Sequence, residues 1–275
     1  MKNKMIEQIN KKNIPKVSIG MPVYNGEKFI RDAVDSLLAQ TFTDFELIIS
    51  DNSSTDDTES ICQEYANTDS RIKYNRQSSN IGPVANFEYV LNGATGQYFM
   101  WAACDDRWVE NCLESMLNFL EGQHSYGLVF SNYKVKNLLT GKEVKNHVRS
   151  SDKNSKVYNY LIRLVSMCPS LIYGLYRTEL IRNQRLEKFD FSDVHFVTEV
   201  ALKTKIKILD EYLYVAGTNG ERKPYSLSGN KIDRMPFLRK QYHLLKQHFS
   251  FPFNILMYGF VCLYMSYNKI RLWRY

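Results

Sequence analysis

The chain has 275 residues, enough for one large domain or two small ones around a buried core. A formal net charge of +7 favours anionic partners, whether nucleic acid, an anionic membrane face or a phosphorylated substrate, without choosing among them. Five cysteines, an odd number with no C-x-x-C pair, argue against a disulfide scaffold or a zinc knuckle and suit a reducing compartment.

Residues 1–15 are polar, rich in Lys and Asn and without the apolar run of a secretory signal, and read as a mobile leader of a cytosolic protein. From there to about residue 135, short apolar runs alternate with helix-like segments. Residues 17–21, 45–50, 71–76 and 97–102 carry β-branched and aromatic side chains between turn residues and are predicted strands. Between them, 27–40 places Phe29, Ile30, Ala33, Leu37 and Leu38 on one helical face. Segment 55–66 follows a Ser-Ser-Thr cap signal, and 83–92 opens with a proline suited to a first helical turn. Strand–helix alternation at this spacing implies crossover units, an α/β class and a mostly parallel sheet flanked by helices.

The second half is less regular. Residues 126–134 and 170–176 are predicted strands, 158–165 and 194–203 helices, and 206–215 strands broken near Asp210. Residues 217–229 form a polar, glycine-containing loop of the kind that closes over sites. There is no internal repeat and no low-complexity linker, so one unit with two halves is the simplest organisation.

Parallel sheets bind ligands outside the carboxyl ends of their strands. Three polar clusters fall there: Pro22-Val23-Tyr24-Asn25, Asp51-Asn52-Ser53-Ser54 and Cys104-Asp105-Asp106. A carboxylate at Asp51 can accept a hydrogen bond from a base's ring N–H or a ribose hydroxyl. The alternative is a helix cap, a role that falls more naturally to Ser54 or Thr55. Adjacent carboxylates at Asp105 and Asp106 repel each other unless a cation joins them, and hard oxygen ligands suit Mg²⁺ or Mn²⁺ bridging to phosphates. The alternative there is a solvated acidic turn, or a cap for a helix starting near Val109.

The stretch PVYNGEKFIRDAVDSLLAQTFTDFELIISDNSSTDDT, with YFMWAACDDRW downstream, resembles glycosyltransferase family 2, closely over about residues 16–122 and more loosely beyond. The resemblance implies the GT-A fold, with a nucleotide-sugar-binding half at 16–135, a smaller acceptor-side half at 136–230 that also carries the catalytic base, and a helical segment at 231–275. It implies that Pro22 and Tyr24, with Asn25 beside them, line the nucleotide pocket and that Asp51 reads the base. Asp105 and Asp106 then bind ribose, metal and diphosphate. Many members carry a further Asp two positions before this pair, where this chain has Ala103, so the metal, Mn²⁺ or Mg²⁺, rests chiefly on Asp106 and Asp105 stands nearer the ribose. The implied donor is a UDP-sugar ahead of GDP or dTDP sugars, and the acceptor a saccharide or lipid-linked saccharide. The implied reaction is one displacement with inversion at the anomeric carbon, in surface polysaccharide synthesis.

Direct displacement also needs a base for the acceptor hydroxyl. Family members resembling this chain supply an Asp or Glu at a helix start about ninety residues after the metal pair, which points to Asp193, with Asp190 and Glu199 as fallbacks; the competing role for Asp193 is a cap of the helix at 194–203. His195, flanked by Val194 and Phe196, is expected to be a packed, hydrogen-bonded residue. Arg222 and Lys223 in the polar loop neutralise the leaving diphosphate or are merely solvated.

Residues 249–267 carry no formal charge and are dense in aromatics, and Lys269, Arg271, Trp273 and Arg274 follow. That combination suits a helix lying among lipid headgroups at the inner face of the cell membrane; the other reading is a core-packing or homodimer-forming helix. A nucleotidyltransferase would open with a Gly-rich loop and a phosphate-binding Lys, and a dehydrogenase with G-x-G-x-x-G; neither is present. Nucleic-acid binding lacks its clustered aromatics beside Lys and Arg outside the carboxyl terminus. The remaining rival is a degenerate, non-catalytic nucleotide-sugar-binding module, for which Ala103 is the motive.

Overall fold

A computed structural model describes residues 14–218, 235–250 and 253–267. The amino-terminal part alternates β1 (Val17–Val23), α1 (Ile30–Leu38), β2 (Phe45–Asp51), α2 (Thr58–Thr68), β3 (Ile72–Arg76), α3 (Pro83–Asn92) and β4 (Tyr98–Trp101). The pairs β3–β2, β2–β1 and β1–β4 are all parallel. Every residue of β2 is buried, as is all of β1 but Pro22, because helices cover both faces of these strands. Helix α1 buries Ile30, Ala33, Val34 and Leu37, the i, i+3, i+4, i+7 stripe that an amphipathic helix turns toward its core.

The chain continues through β5 (Arg107–Trp108), α4 (Cys112–Gly122), β6 (Tyr126–Asn137), β7 (Glu143–Asn146), α5 (Lys156–Ser166), β8 (Leu175–Arg177), α6 (Thr178–Ile181), α7 (Ser192–Lys203), β9 (Lys205–Thr218), α8 (Met235–His248) and α9 (Phe253–Tyr267). Among the described residues the strands form one nine-stranded sheet, ordered β3-β2-β1-β4-β8-β6-β9-β5, with β7 paired to β6. Its amino-terminal half is parallel. Strand β8 then runs antiparallel to both β4 and β6, β6 and β9 are parallel, and β5 closes the edge antiparallel to β9. Position 135 lies inside β6, and one apolar cluster runs from Val17 to Tyr214, so sheet and core are continuous across both halves.

Three local expectations are corrected. Residues 170–176 are not one strand: Pro169–Tyr173 is a 3₁₀ turn, opened by a proline that lacks the N–H a ladder needs, and the strand begins at Leu175. Residues 206–215 are not broken strands. They belong to the single strand β9, whose register against β6 jumps from Leu209 opposite Ser131 to Tyr212 opposite Asn132, so that Asp210 and Glu211 bulge out. The helix expected from residue 55 starts at Thr58, because hydrogen bonds from neighbouring loops hold 52–57 in turns.

Trp101, fully buried on β4, ties the two halves together. Its ring meets Phe99, Tyr176 and Phe196 edge-on at centroid distances of 4.7, 5.7 and 5.4 Å, and its Nε1 donates to the Phe87 carbonyl at 3.1 Å. A second apolar cluster, including Tyr160 and Leu164 of α5, Val194 and Leu202 of α7, Phe237 and Leu245 of α8 and Met257 and Val261 of α9, packs the carboxyl-terminal helices onto this body. Within α9, Met257 and Val261 face that core while Ile255 and Leu256 are exposed. No helix among the described residues is long and apolar enough to cross a membrane. Lys269, Arg271, Trp273 and Arg274 lie outside the described residues.

Candidate active site

The first two strand ends are zipped together by side chains reaching for backbone. Val23 pairs with Asp51 at the last register position. Beyond it, the Asn25 N–H donates to Ser54 Oγ at 2.9 Å, and the Thr55 N–H returns a bond to Asn25 Oδ1 at 2.9 Å. The Gly26 N–H donates to Thr58 Oγ1 at 2.8 Å and the Glu27 N–H to Asp56 Oδ2 at 3.1 Å. Asn25 and Ser53 both take positive φ, 52° and 64°; Asn accepts the left-handed region more readily than most side chains. A third loop joins through Asn52, whose Oδ1 accepts from the Ile81 N–H at 2.8 Å and whose Nδ2 donates to Asn80 Oδ1 at 3.0 Å. These bonds, rather than a helix, are what the polar side chains of N-G-E and D-N-S-S-T-D-D-T make at the two strand ends.

Pro22 is half-buried opposite Ser50, and Tyr24 presents an exposed ring beside it. Asp51 is fully buried. Its Oδ1 accepts from the Ser54 N–H at 2.8 Å, and its Oδ2 from Tyr74 Oη at 3.0 Å and Arg76 Nη1 at 3.1 Å. In this state Asp51 organises the turn and the partly exposed Arg76.

The third cluster adjoins the first: a Cβ on Gly26 would lie 3.2 Å from Cys104 Sγ. Asp106 is 4% exposed and holds two internal donors, the Gly217 N–H to Oδ1 at 2.9 Å and the Tyr214 hydroxyl to Oδ2. Burial first, then the charge of Asp105, pushes the Asp106 carboxyl up to about 8, and burial also raises Asp105. Burial and the same two carboxylates push the Cys104 thiol up to about 12, so it is not a nucleophile at neutral pH.

Two crowded carboxylates that ionise reluctantly are a donor set that a divalent cation would relieve. Mg²⁺ or Mn²⁺ commonly takes only one or two carboxylates and completes its shell with phosphates and water. Among the described residues no group of three His, Cys, Asp or Glu side chains converges on a metal position. The chain therefore offers the pair, which fits a cation shared with a diphosphate and not a self-sufficient cage.

Asp193 stands in the first turn of α7, where its Oδ1 accepts its neighbour Val194's N–H at 2.7 Å; burial raises its pKa. Tyr173 packs beside Tyr214, whose hydroxyl holds Asp106. Burial and then the charges of Asp106, Asp105 and Asp193 drive the Tyr173 hydroxyl well above its ordinary value, and its ring sits 6.0 Å from that of Tyr214. Glu199 is drawn away to Lys203 at 2.7 Å. Asp190 is buried just before α7. His195 is packed: its Nδ1 pairs with Gln241 Nε2 at 3.0 Å, Phe189 lies 5.7 Å away, and burial holds its pKa below the usual value. Arg222 and Lys223 lie outside the described residues, and Gly217 and Thr218 of the expected loop are the end of β9.

Tyr74, Arg76, Tyr173, Tyr214 and Gly217 join the site without having been singled out from sequence. Tyr214 lies in the stretch read as strand and Gly217 in the stretch read as loop, and nothing local said which rim either would reach.

A parallel half-sheet with an Asp closing its second strand and an acidic pair beyond its fourth, continued by a mixed half-sheet, is the arrangement of the GT-A fold. The fold matches the crystal structure of Staphylococcus aureus TarS in complex with UDP-GlcNAc, with a TM-score of 0.65 and 23% identity over 84% of this chain and 65% of that one. The chain belongs to glycosyltransferase family 2, whose model matches residues 18–185. An uncharacterized glycosyltransferase from Haemophilus influenzae is 30% identical over 220 residues, 80% of this chain and 84% of that protein. The GalNAc(5)-diNAcBac-PP-undecaprenol beta-1,3-glucosyltransferase of Campylobacter jejuni is 27% identical over 177 residues. That match takes in 64% of this chain and only 56% of the Campylobacter protein.

Proposed function

We propose that the protein is an inverting glycosyltransferase that moves a sugar from a UDP-sugar to a hydroxyl of a saccharide or lipid-linked saccharide, in surface polysaccharide synthesis. The observation that carries the reading is the Trp101–Phe196 contact at 5.4 Å, which packs the strand preceding Asp105 and Asp106 against the helix whose first turn holds Asp193. UDP-GlcNAc in the TarS complex and a lipid-linked glycan in the name of the Campylobacter relative support the donor and acceptor classes.

In this reading Pro22, Tyr24 and Asn25 line the nucleotide pocket. Asp51 receives the base's ring N–H once the Arg76 side chain swings aside. Asp105 faces the ribose, and Asp106 holds Mn²⁺ or Mg²⁺, which when bound supplies positive charge for the diphosphate. Asp193 takes the proton of the acceptor hydroxyl, its raised pKa making it a stronger base than an exposed carboxylate. The acceptor oxygen bonds to the anomeric carbon as the bond from that carbon to the diphosphate breaks. Arg222 takes up part of the charge on the leaving group.

A thermal-shift series of UDP, GDP and dTDP, with and without Mn²⁺, tests the donor. UDP with Mn²⁺ is expected to give the largest stabilisation; no shift with any nucleotide overturns the reading. Residues 249–275 hold the enzyme at the inner membrane face, the exposed Ile255 and Leu256 and the charges of Lys269, Arg271 and Arg274 favouring an anionic lipid surface. Truncation after residue 267 should weaken sedimentation with anionic vesicles, and unchanged sedimentation refutes this part.

A further inference from the structure

At the amino-terminal ends of β6 and β9, across the sheet from the acidic rim, lies an open cavity of about 380 Å³. His124, Lys153, Lys156, Lys203 and Lys205 line it, with the buried Asn159 among its walls and no Asp or Glu. Lys203 is held by Glu199 at 2.7 Å, but Lys153, Lys156 and Lys205 are in no ion pair among the described residues. Asn159 is committed to shape: its Nδ2 donates to the Lys153 carbonyl at 3.0 Å and its Oδ1 accepts the Lys153 N–H at 3.2 Å, pinning the segment that leads into α5. The amino terminus of α5, capped by Ser155 Oγ accepting from the Tyr158 N–H, adds its partial positive charge to the same place.

Cations gathered this closely repel one another, and their cost is recovered only when an anion joins them. Lys156 also acts on α8. There the His248 imidazole is pushed below its usual value by burial and then by Lys156, with Lys203 adding and Glu199 opposing.

We infer that this cavity is a binding site for a phosphate-bearing anion, separate from the sugar-nucleotide rim. Lys205 and Gly217 pair with Tyr126 and Lys136, ten residues apart on β6, so the two sites are separated by roughly 33 Å at strand rise. The ligand is therefore not the diphosphate being cleaved but a second phosphate, either free in solution or carried by a lipid headgroup.

The test compares the full chain with K153Q/K156Q/K205Q, all three side chains being remote from the catalytic carboxylates. Calorimetry with inorganic phosphate and pyrophosphate, against chloride at matched ionic strength, should show binding by the parent and at least a tenfold loss in the variant. K153R/K156R/K205R should keep most of it, and the thermal midpoint and donor hydrolysis rate should stay at parental values in both. Flotation with phosphatidylglycerol and phosphatidylcholine vesicles separates the sources. Selective binding to phosphatidylglycerol that the Gln variant loses assigns a lipid headgroup, whereas phosphate binding without vesicle binding assigns a soluble anion. Equal phosphate binding by parent and Gln variant, or binding no stronger than that of chloride, overturns the site.

Discussion

The Trp101 ring meets the Phe196 ring edge-on, with centroids 5.4 Å apart and planes at 84°. Trp101 lies four residues before Asp105, and Phe196 three residues after Asp193. One apolar contact therefore sets the strand that ends in the acidic pair against the helix that begins with the candidate base. Replacing Phe196 with Leu should cost about 1–3 kcal/mol, the range for trimming a buried side chain. It should lower kcat more than it weakens UDP binding, since only the acceptor-side carboxylate is released. Calorimetry that finds donor affinity reduced as much as kcat would refute the division.

Gly217 packs so closely on the acidic loop that a Cβ there would lie 2.0 Å from the Asp105 carbonyl oxygen. Gly217→Ala must therefore push the end of β9 away and break the N–H bond to Asp106. A loss of about 1–3 kcal/mol is expected, as for overpacking elsewhere in protein interiors. Activity should fall more steeply than stability, and parental turnover in a folded Ala variant would show that this contact is not needed.

Asp106→Asn replaces a buried carboxyl whose pKa is raised to about 8 by a neutral amide that keeps an acceptor for the Gly217 N–H and turns an NH₂ toward the Tyr214 hydroxyl, so folding should change little. Transfer should be abolished, and Mn²⁺ should no longer strengthen UDP binding in calorimetry. Undiminished turnover of the parent enzyme in EDTA would remove the metal from the reading.

Asp193→Asn should lower kcat by about 10²–10⁴-fold, the usual worth of a positioned base, while UDP affinity holds. An α-linked donor should give a β-linked product by NMR. A product of retained configuration would exclude the single displacement.

Glu46, on β2 away from the rim, contributes to the pH dependence of stability. Burial alone would raise its carboxyl, but hydrogen bonds from Lys73, Ser18 and Thr95 outweigh that and hold it below its ordinary value. A carboxylate with a lowered native pKa adds stability above its unfolded value, near pH 4.5, and loses it as pH falls through the native one. Glu46→Gln should therefore be less stable than the parent at pH 7 in urea titrations, with the gap closing below about pH 4. A gap that does not change with pH would assign the effect to packing.

Much of the amino-terminal half was legible in the sequence, and for local reasons. Strands at 17–21 and 45–50 announced themselves because burial on both faces fills them mostly with apolar side chains, Ser18, Glu46 and Ser50 being the polar exceptions. Helix 83–92 was placed to the residue because Pro83 fixes its first turn. The rule that ligands gather at strand carboxyl ends then selected 22–25, 51 and 105–106, which the folded chain gathers on one rim. The strand expected at 170–176 misled, because Leu171, Ile172 and Tyr173 are apolar or aromatic for core packing in a turn and not for pairing.

The sequence by itself thus determined the parallel half-sheet, the loops at its strand ends and the family to which they belong, since periodicity, turn residues and capping act over a few residues. Only the tertiary structure decided what stands beneath the acidic pair. Tyr214 and Gly217 reach Asp106 from 108 and 111 residues away, and they do so because β9 pairs with β5 and carries a two-residue bulge that sets its register. Strand pairing across such separations is fixed by the packing of the whole sheet, and no short stretch of sequence contains it.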